Sequence, residues 1–335
     1  MLSGIVRRVL SAFPLVLAVV LVAFWYLRAL PGDPVDVILG QTGSVSQAAV
    51  SALRQQLHLN GTLVTQLGYF LGRLLHGDLG YSFVQHLPVR TLILQAFPAS
   101  VELATGAMLF ATLVGVPLGI VGGRRVGGAG DRISMVVAFV AVSMPEFWFG
   151  LVLMVIFAVR LHWLPVGGQI NPVITLQTIT GMDVVDSILT GNMPALVSSV
   201  RHLILPSVAL GTPMVAVISR VLRAGVSETL KKDHVTVAYS KGLSRRSVLW
   251  RHVLRNAWIP TLAVTALNLG VLLGGNMVVE TVFGWPGLGR LVVQAIYSRD
   301  YPLVQGGIMV YGLTFILINL VVDVLAALLN PQITL

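Results

Sequence analysis

The chain has 335 residues, of which 56% are apolar and 10% charged, with a formal net charge of +9 and a mean hydropathy of +0.86. A soluble domain carries about 25% charged residues, so this chain has too little charge to cover a water-facing surface, and lipid is the expected solvent. No cysteine is present, which excludes disulfides, thiolate metal sites and cysteine nucleophiles.

A membrane helix needs about 20 apolar residues. Six runs reach that length, at 9–30, 98–121, 133–161, 203–222, 259–282 and 306–329. The first follows Arg7 and Arg8, but its apolar stretch is longer than that of a signal peptide and no small-residue cleavage site follows. Pro117, Pro145, Pro206, Pro213 and the Gly274–Gly275 pair fall inside later runs. Such residues are tolerated where neighbouring helices satisfy the freed backbone groups, so a packed bundle is expected. The fold class is therefore all-α and polytopic, with six transmembrane helices. Residues 1–97 form the first helix and a long connection, and 98–335 a five-helix core. A second long connection spans 162–202. Connections of this length usually carry structure or function of their own.

Fourteen of the 22 Lys and Arg fall on one side of this layout: Arg7 and Arg8, Arg124 to Arg132, and nine between Arg220 and Arg255. The positive side faces the cytoplasm, which places both termini there. Charge set between apolar spans also argues for topology and against nucleic acid.

The densest basic segment, 223–257, reads as two short helices around Gly242. Glu228 and Lys232 stand at i, i+4 in the favourable order. Ser244 is placed to cap the second helix. Trp250, Val253, Leu254 and Ala257 form an apolar stripe at helical spacing. Gly242 suits a left-handed or tightly packed backbone. Periodicity alone leaves two readings open: a docking surface for a soluble partner, or an amphipathic pair lying on anionic lipid.

Four acidic positions stand near or inside the spans. Glu102 lies near a helix N-terminus, where a carboxylate is favoured. Asp323 shares a face with Asn319 and suits a polar contact between helices. Glu280, at the outer end of the fifth run, fits a gate or a structural role. Glu146, directly after Pro145 inside the third run, is an intramembrane ionisable group and so a functional position by default, the alternative being a neutral Glu bonded to carbonyls freed by Pro145. Pro145, Glu146 and Glu280 are the pore or gate candidates. The chain has no H-E-x-x-H, no G-x-S-x-G and no Gly-Lys dipeptide, so no catalytic residue, metal site or phosphate loop is expected.

A series of short strings resembles the permeases of ABC importers, in the branch that carries peptides, nickel and glutathione. Leu30-Pro31-Gly32-Asp33-Pro34 follows the first run, Gly77-Asp78-Leu79-Gly80-Tyr81-Ser82 lies in the first long connection, and Ser143-Met144-Pro145 in the third run. Lys241-Gly242-Leu243-Ser244 marks the basic loop; Glu280 to Gly289 and Asn319 to Asp323 complete the order. The loop is similar to that family's EAA loop at Thr236, Val237, Ala238, Gly242, Ile259 and Pro260, although the Glu and first Ala of that motif are missing. The resemblance implies a dipeptide-type permease forming half of a pore with a second homologous permease. Two cytoplasmic ABC ATPases would hold ATP and Mg, with no cofactor on this chain. A solute-binding protein would deliver solute from outside, in a bacterial cytoplasmic (inner) membrane. ATPase coupling would fall on Glu228, Asp233, Ala238, Lys241, Gly242, Leu243, Ser244 and Arg245. A nickel or glutathione permease and a self-contained secondary transporter remain alternatives.

Overall fold

The computed structural model describes residues 2–29 and 61–329. Helix α1 covers Leu2–Ala29 and α2 covers Leu63–Leu75. A two-stranded antiparallel ribbon pairs Tyr81 with Pro88 and Ser82 with Leu87. It leads into α3 (Val89–Arg124) and α4 (Ala129–Ser143). Next comes α5, Glu146–Leu153, which runs on through a π-helical stretch, Met154–Arg160. The short α6 (Asp183–Leu189) precedes α7 (Met193–Thr229) and α8 (Asp233–Ser240). Then α9 is one continuous helix, Arg245–Gly274. Helices α10 (Met277–Val282), α11 (Leu288–Tyr297) and α12 (Tyr301–Leu329) close the chain.

Among the described residues, four helices, α3, α7, α9 and α12, are long and apolar enough to cross a membrane, and the α4–α5 pair, bent by 101°, adds a fifth when counted as one broken span. Shorter apolar helical stretches cover Ala12–Trp25 of α1 and Leu288–Tyr297 of α11. The protein is an all-α polytopic membrane protein. The third expected run is thus a broken one. Met144 is extended (φ −99°, ψ 131°) and Pro145 follows it, as the residue before a proline is pushed out of the helical region. The fifth run also differs from expectation. Its helix starts inside the basic loop, at Arg245, and stops at Asn276. Glu280 therefore stands beyond the span, on α10.

The centre of the bundle is the α3–α7 pair. Gly115, Gly119 and Gly122–Gly123 run along α3 and meet Ile218, Leu222, Arg223 and Val226 of α7. A Cβ on Gly123 would lie 2.7 Å from the Arg223 carbonyl oxygen. Small residues let backbones approach where lipid gives no hydrophobic drive for association. Around this pair pack Leu103, Leu210, Ile218, Phe283 and Trp285, all buried. Ala138 and Ala141 of α4 rest on Ala216 of α7, and Gly150 of α5 meets Ala209 and Phe283.

The second long connection is folded, not loose. Asp186 is fully buried and its carboxylate accepts from the backbone of Ile179, Thr180 and Gly181 and from the Thr180 hydroxyl. Burial opposes its charge, but these donors hold its pKa below the ordinary carboxylate value. Glu102, 5% exposed, ties this connection to α3: its carboxylate accepts from Gln169 at 2.6 Å and from the Val184 amide at 2.7 Å. The helix starts at Val89, so Glu102 stands more than three turns inside it and not near its start as expected; these contacts, and not the helix dipole, give it a structural role.

Candidate coupling site and family

The segment between α7 and α9 is built by local chemistry. Helix α8 ends in a Schellman arrangement: the Gly242 amide donates to the Tyr239 carbonyl at 2.9 Å, and the Leu243 amide to Ala238 at 3.3 Å. This closure requires a left-handed residue, and Gly242 has φ +77°. The next helix begins at once, with the Ser244 hydroxyl accepting from the Ser247 amide at 3.3 Å. Lys241-Gly242-Leu243-Ser244 is thus a stop signal followed by a start signal.

One face of this segment is buried against the end of α7. Val235 and Ala238 of α8, with Val248, Leu249, Val253, Leu254 and Ala257 of α9, pack on Leu222 and Val226. The expected stripe holds for Val253, Leu254 and Ala257, but Trp250 is 59% exposed. A π turn over Leu249–Val253 causes the change. An i→i+5 turn carries an extra residue, so Val248 and Val253 come to share the buried face and Trp250 is turned outward.

The other expected coupling residues sit around this core. Glu228 and Lys232 approach to 3.5 Å, both exposed, and such a pair contributes little to stability. Asp233 opens α8, where the helix dipole favours it. Lys241 is its C-cap. Leu243 and Arg245 are exposed, and with Val237 and Trp250 they leave an outward surface of mixed apolar and basic character. Sequence reading did not find a neighbouring ion pair: Arg223 of α7 donates to Asp131, whose other oxygen accepts from the Gly127 amide at 2.7 Å. Asp131 is 1% exposed, so the pair pins the start of α4 to α7 at the residue between Leu222 and Val226 along the helix.

The gate candidates lie apart from this segment. Pro145 precedes α5 at the 101° break. Glu146, in the first turn of α5, is half-buried. It shares a helix face with Gly150 and Leu153, which are buried against the bundle. Glu280 is fully buried. Its carboxylate accepts from the Ser100 hydroxyl at 2.6 Å and the Arg290 amide at 3.0 Å. Ser100 in turn accepts from the Leu288 amide at 2.8 Å, and the Trp285 indole donates to the Ala99 carbonyl at 2.8 Å. The Gly284–Gly289 string thus fastens α11 to α3. Asn319 donates to the Phe315 carbonyl of its own helix at 2.9 Å; the side chain of Asp323 lies outside the described residues.

Comparison with known proteins agrees with this architecture. Residues 115–335 match the family described as the binding-protein-dependent transport system inner membrane component, and residues 1–104 match the N-terminal region of such membrane components. The chain belongs to this family. It is a multi-pass inner-membrane permease component of ABC import systems. It is 40% identical over 333 residues to a dipeptide transport system permease protein of Alkalihalophilus pseudofirmus, covering 99% of each chain. A di/tripeptide transport system permease protein of Pseudomonas aeruginosa is also 40% identical, with 99% of each chain covered. A glutathione transport system permease protein of Escherichia coli is 37% identical, again over 99% of each.

Proposed function

We propose that this permease forms one half of a pore for di- and oligopeptides, completed by a second homologous permease. Two ATPases, which hold ATP and Mg, dock on the outward surface of α8 and the start of α9. A solute-binding protein delivers peptide at the opposite end. The observation that carries the reading is the buried anchoring of α8 on α7 beside an exposed Gly242 turn. A rigid helix fixed to the central pair of spans can transmit ATPase movement into the bundle, and ATP-driven exchange between inward and outward states follows. Relatives named for dipeptides, di/tripeptides and glutathione support a peptide cargo, since glutathione is itself a tripeptide. The basic segment faces the cytoplasm in this reading, with both termini on the same side.

Proteoliposomes holding the complete complex should accumulate labelled alanyl-alanine only with internal ATP and loaded binding protein. A cysteine placed at Ser247 in this cysteine-free chain should resist an impermeant reagent added outside cells. Uptake by the chain without ATPases would instead support a secondary transporter, and outside labelling at position 247 would invert the topology.

Pro145 and Glu146 act at the gate in this reading. The break gives two half-spans that can move separately, and Glu146 brings an ionisable group into it. Glu146→Ala should lower uptake at unchanged membrane level, with Glu146→Gln milder; wild-type uptake by Glu146→Ala removes it from the gate. Glu280 serves the gate indirectly, by holding α11 on α3.

A further inference from the structure

A cavity of about 360 Å³ opens at the basic end of the bundle, lined by Arg124, Leu230, Tyr239, Arg245 and Leu249. Arg124 is the last residue of the membrane-spanning α3, Leu230 caps α7, and Tyr239 stands on α8. The cavity therefore lies where the ends of two long helices meet the coupling segment. No carboxylate lines it. Among the described residues, Asp131 pairs with Arg223 and Glu228 with Lys232, and neither Arg124 nor Arg245 has an acidic partner.

We propose that this cavity binds the phosphate headgroup of an anionic phospholipid. Two guanidiniums without counter-charges form a planar, multidentate donor set suited to phosphate oxygens. The Tyr239 hydroxyl adds a donor at the rim, while Leu230 and Leu249 offer apolar surface to the start of the lipid's glycerol and acyl region. With the basic segment on the cytoplasmic side, as proposed above, this is a basic pocket between spans of the kind that holds headgroups, and its volume lies within the range of small-molecule sites. An acidic side chain of an ATPase is the competing ligand. Val237 and Lys241 of its docking surface lie on the side of α8 turned away from Tyr239 by helical spacing, whereas Arg245 borders both the docking surface and the cavity, so the test is placed on Arg124. A bound headgroup would bridge α3 to the coupling segment and brace α8, so coupling would depend on lipid charge.

The test uses the full-length chain, purified with its partner subunits and exchanged into vesicles of phosphatidylcholine with or without phosphatidylglycerol. Native mass spectrometry reads the phosphatidylglycerol retained through delipidation. The wild type should hold it, and Arg124→Gln should weaken retention about tenfold, the loss expected for one charge-assisted contact. Arg124→Lys, which keeps the charge but not the fork, should fall between them and serves where Arg124→Gln does not reach the membrane. Equal retention by wild type and both variants overturns the proposal. Emptying of the site by inorganic phosphate would assign it to a soluble phosphate, and would overturn the lipid source. Unchanged lipid retention with loss of ATPase co-purification would assign the arginines to the ATPase instead.

Discussion

Gly242→Arg should reach the membrane at near-normal level and fail to transport. A large side chain at this turn can fail by a clash with the helix packing or by a forbidden backbone angle, and the structure separates the two. A Cβ built on Gly242 meets no atom within 4 Å, so the chain itself has room. The angle, φ +77°, costs about 1–2 kcal/mol for any ordinary L residue and is shared by Ala and Arg. Asn tolerates this region best after Gly. The Arg side chain would project into the space where an ATPase docks. A misfit of a few kcal/mol there corresponds to a loss of uptake of roughly a hundredfold. Gly242→Asn should therefore be nearly normal, Gly242→Ala mildly impaired, and Gly242→Arg inactive with ATPase lost in detergent pull-downs. Normal uptake and normal ATPase retention by Gly242→Arg would show that no partner reads this turn. If Ala and Arg were equally impaired, the fault would lie in the backbone angle and not in docking.

The turn was legible because its chemistry is local. A Gly after a helix and a Ser before the next have fixed meanings, and both are met at Gly242 and Ser244. The spans were legible because lipid demands apolar length. What escaped notice depends on phase or on distance. Trp250 fits the buried stripe if the helix keeps its regular period, and the π turn at Leu249–Val253 leaves no clear mark in composition. Pro145 marks a break in the third run, but a bend of 101°, with Ala138, Ala141 and Gly150 all packed on α7, has no local signature. Asp131 and Arg223 are 92 residues apart in sequence, and nothing local pairs them. Ser100 and Glu280, 180 residues apart, could be joined only once the bundle was folded. The Gly284–Gly289 string carried the signal of a tight backbone approach, without saying what approached.

Glu280 is what approaches, and the second large effect is expected there. Glu280→Ala leaves the Ser100 hydroxyl and the Arg290 amide without their acceptor in a fully buried place. An unpaired buried donor costs about 1–3 kcal/mol, so the variant should lose several kcal/mol of stability and release α11 from α3. Glu280→Gln keeps an acceptor and the shape, and should be much milder. Gly287 supplies a second probe of the same contact. A Cβ there would run into the Glu280 carboxylate itself, so Gly287→Ala should also destabilise, by about 1–3 kcal/mol as an overpacked site does. The two losses should not add. Removing the carboxylate clears the space that the new methyl group needs, so Glu280→Ala with Gly287→Ala should be more stable than the sum of the single variants predicts, by about 1 kcal/mol or more. Thermal unfolding of the four proteins in one detergent measures this cycle. Strict additivity would mean that Glu280 and Gly287 are not packed on each other, and the fastening of α11 to α3 would then rest on the Glu280 hydrogen bonds, Ser100 and Trp285 without that contact.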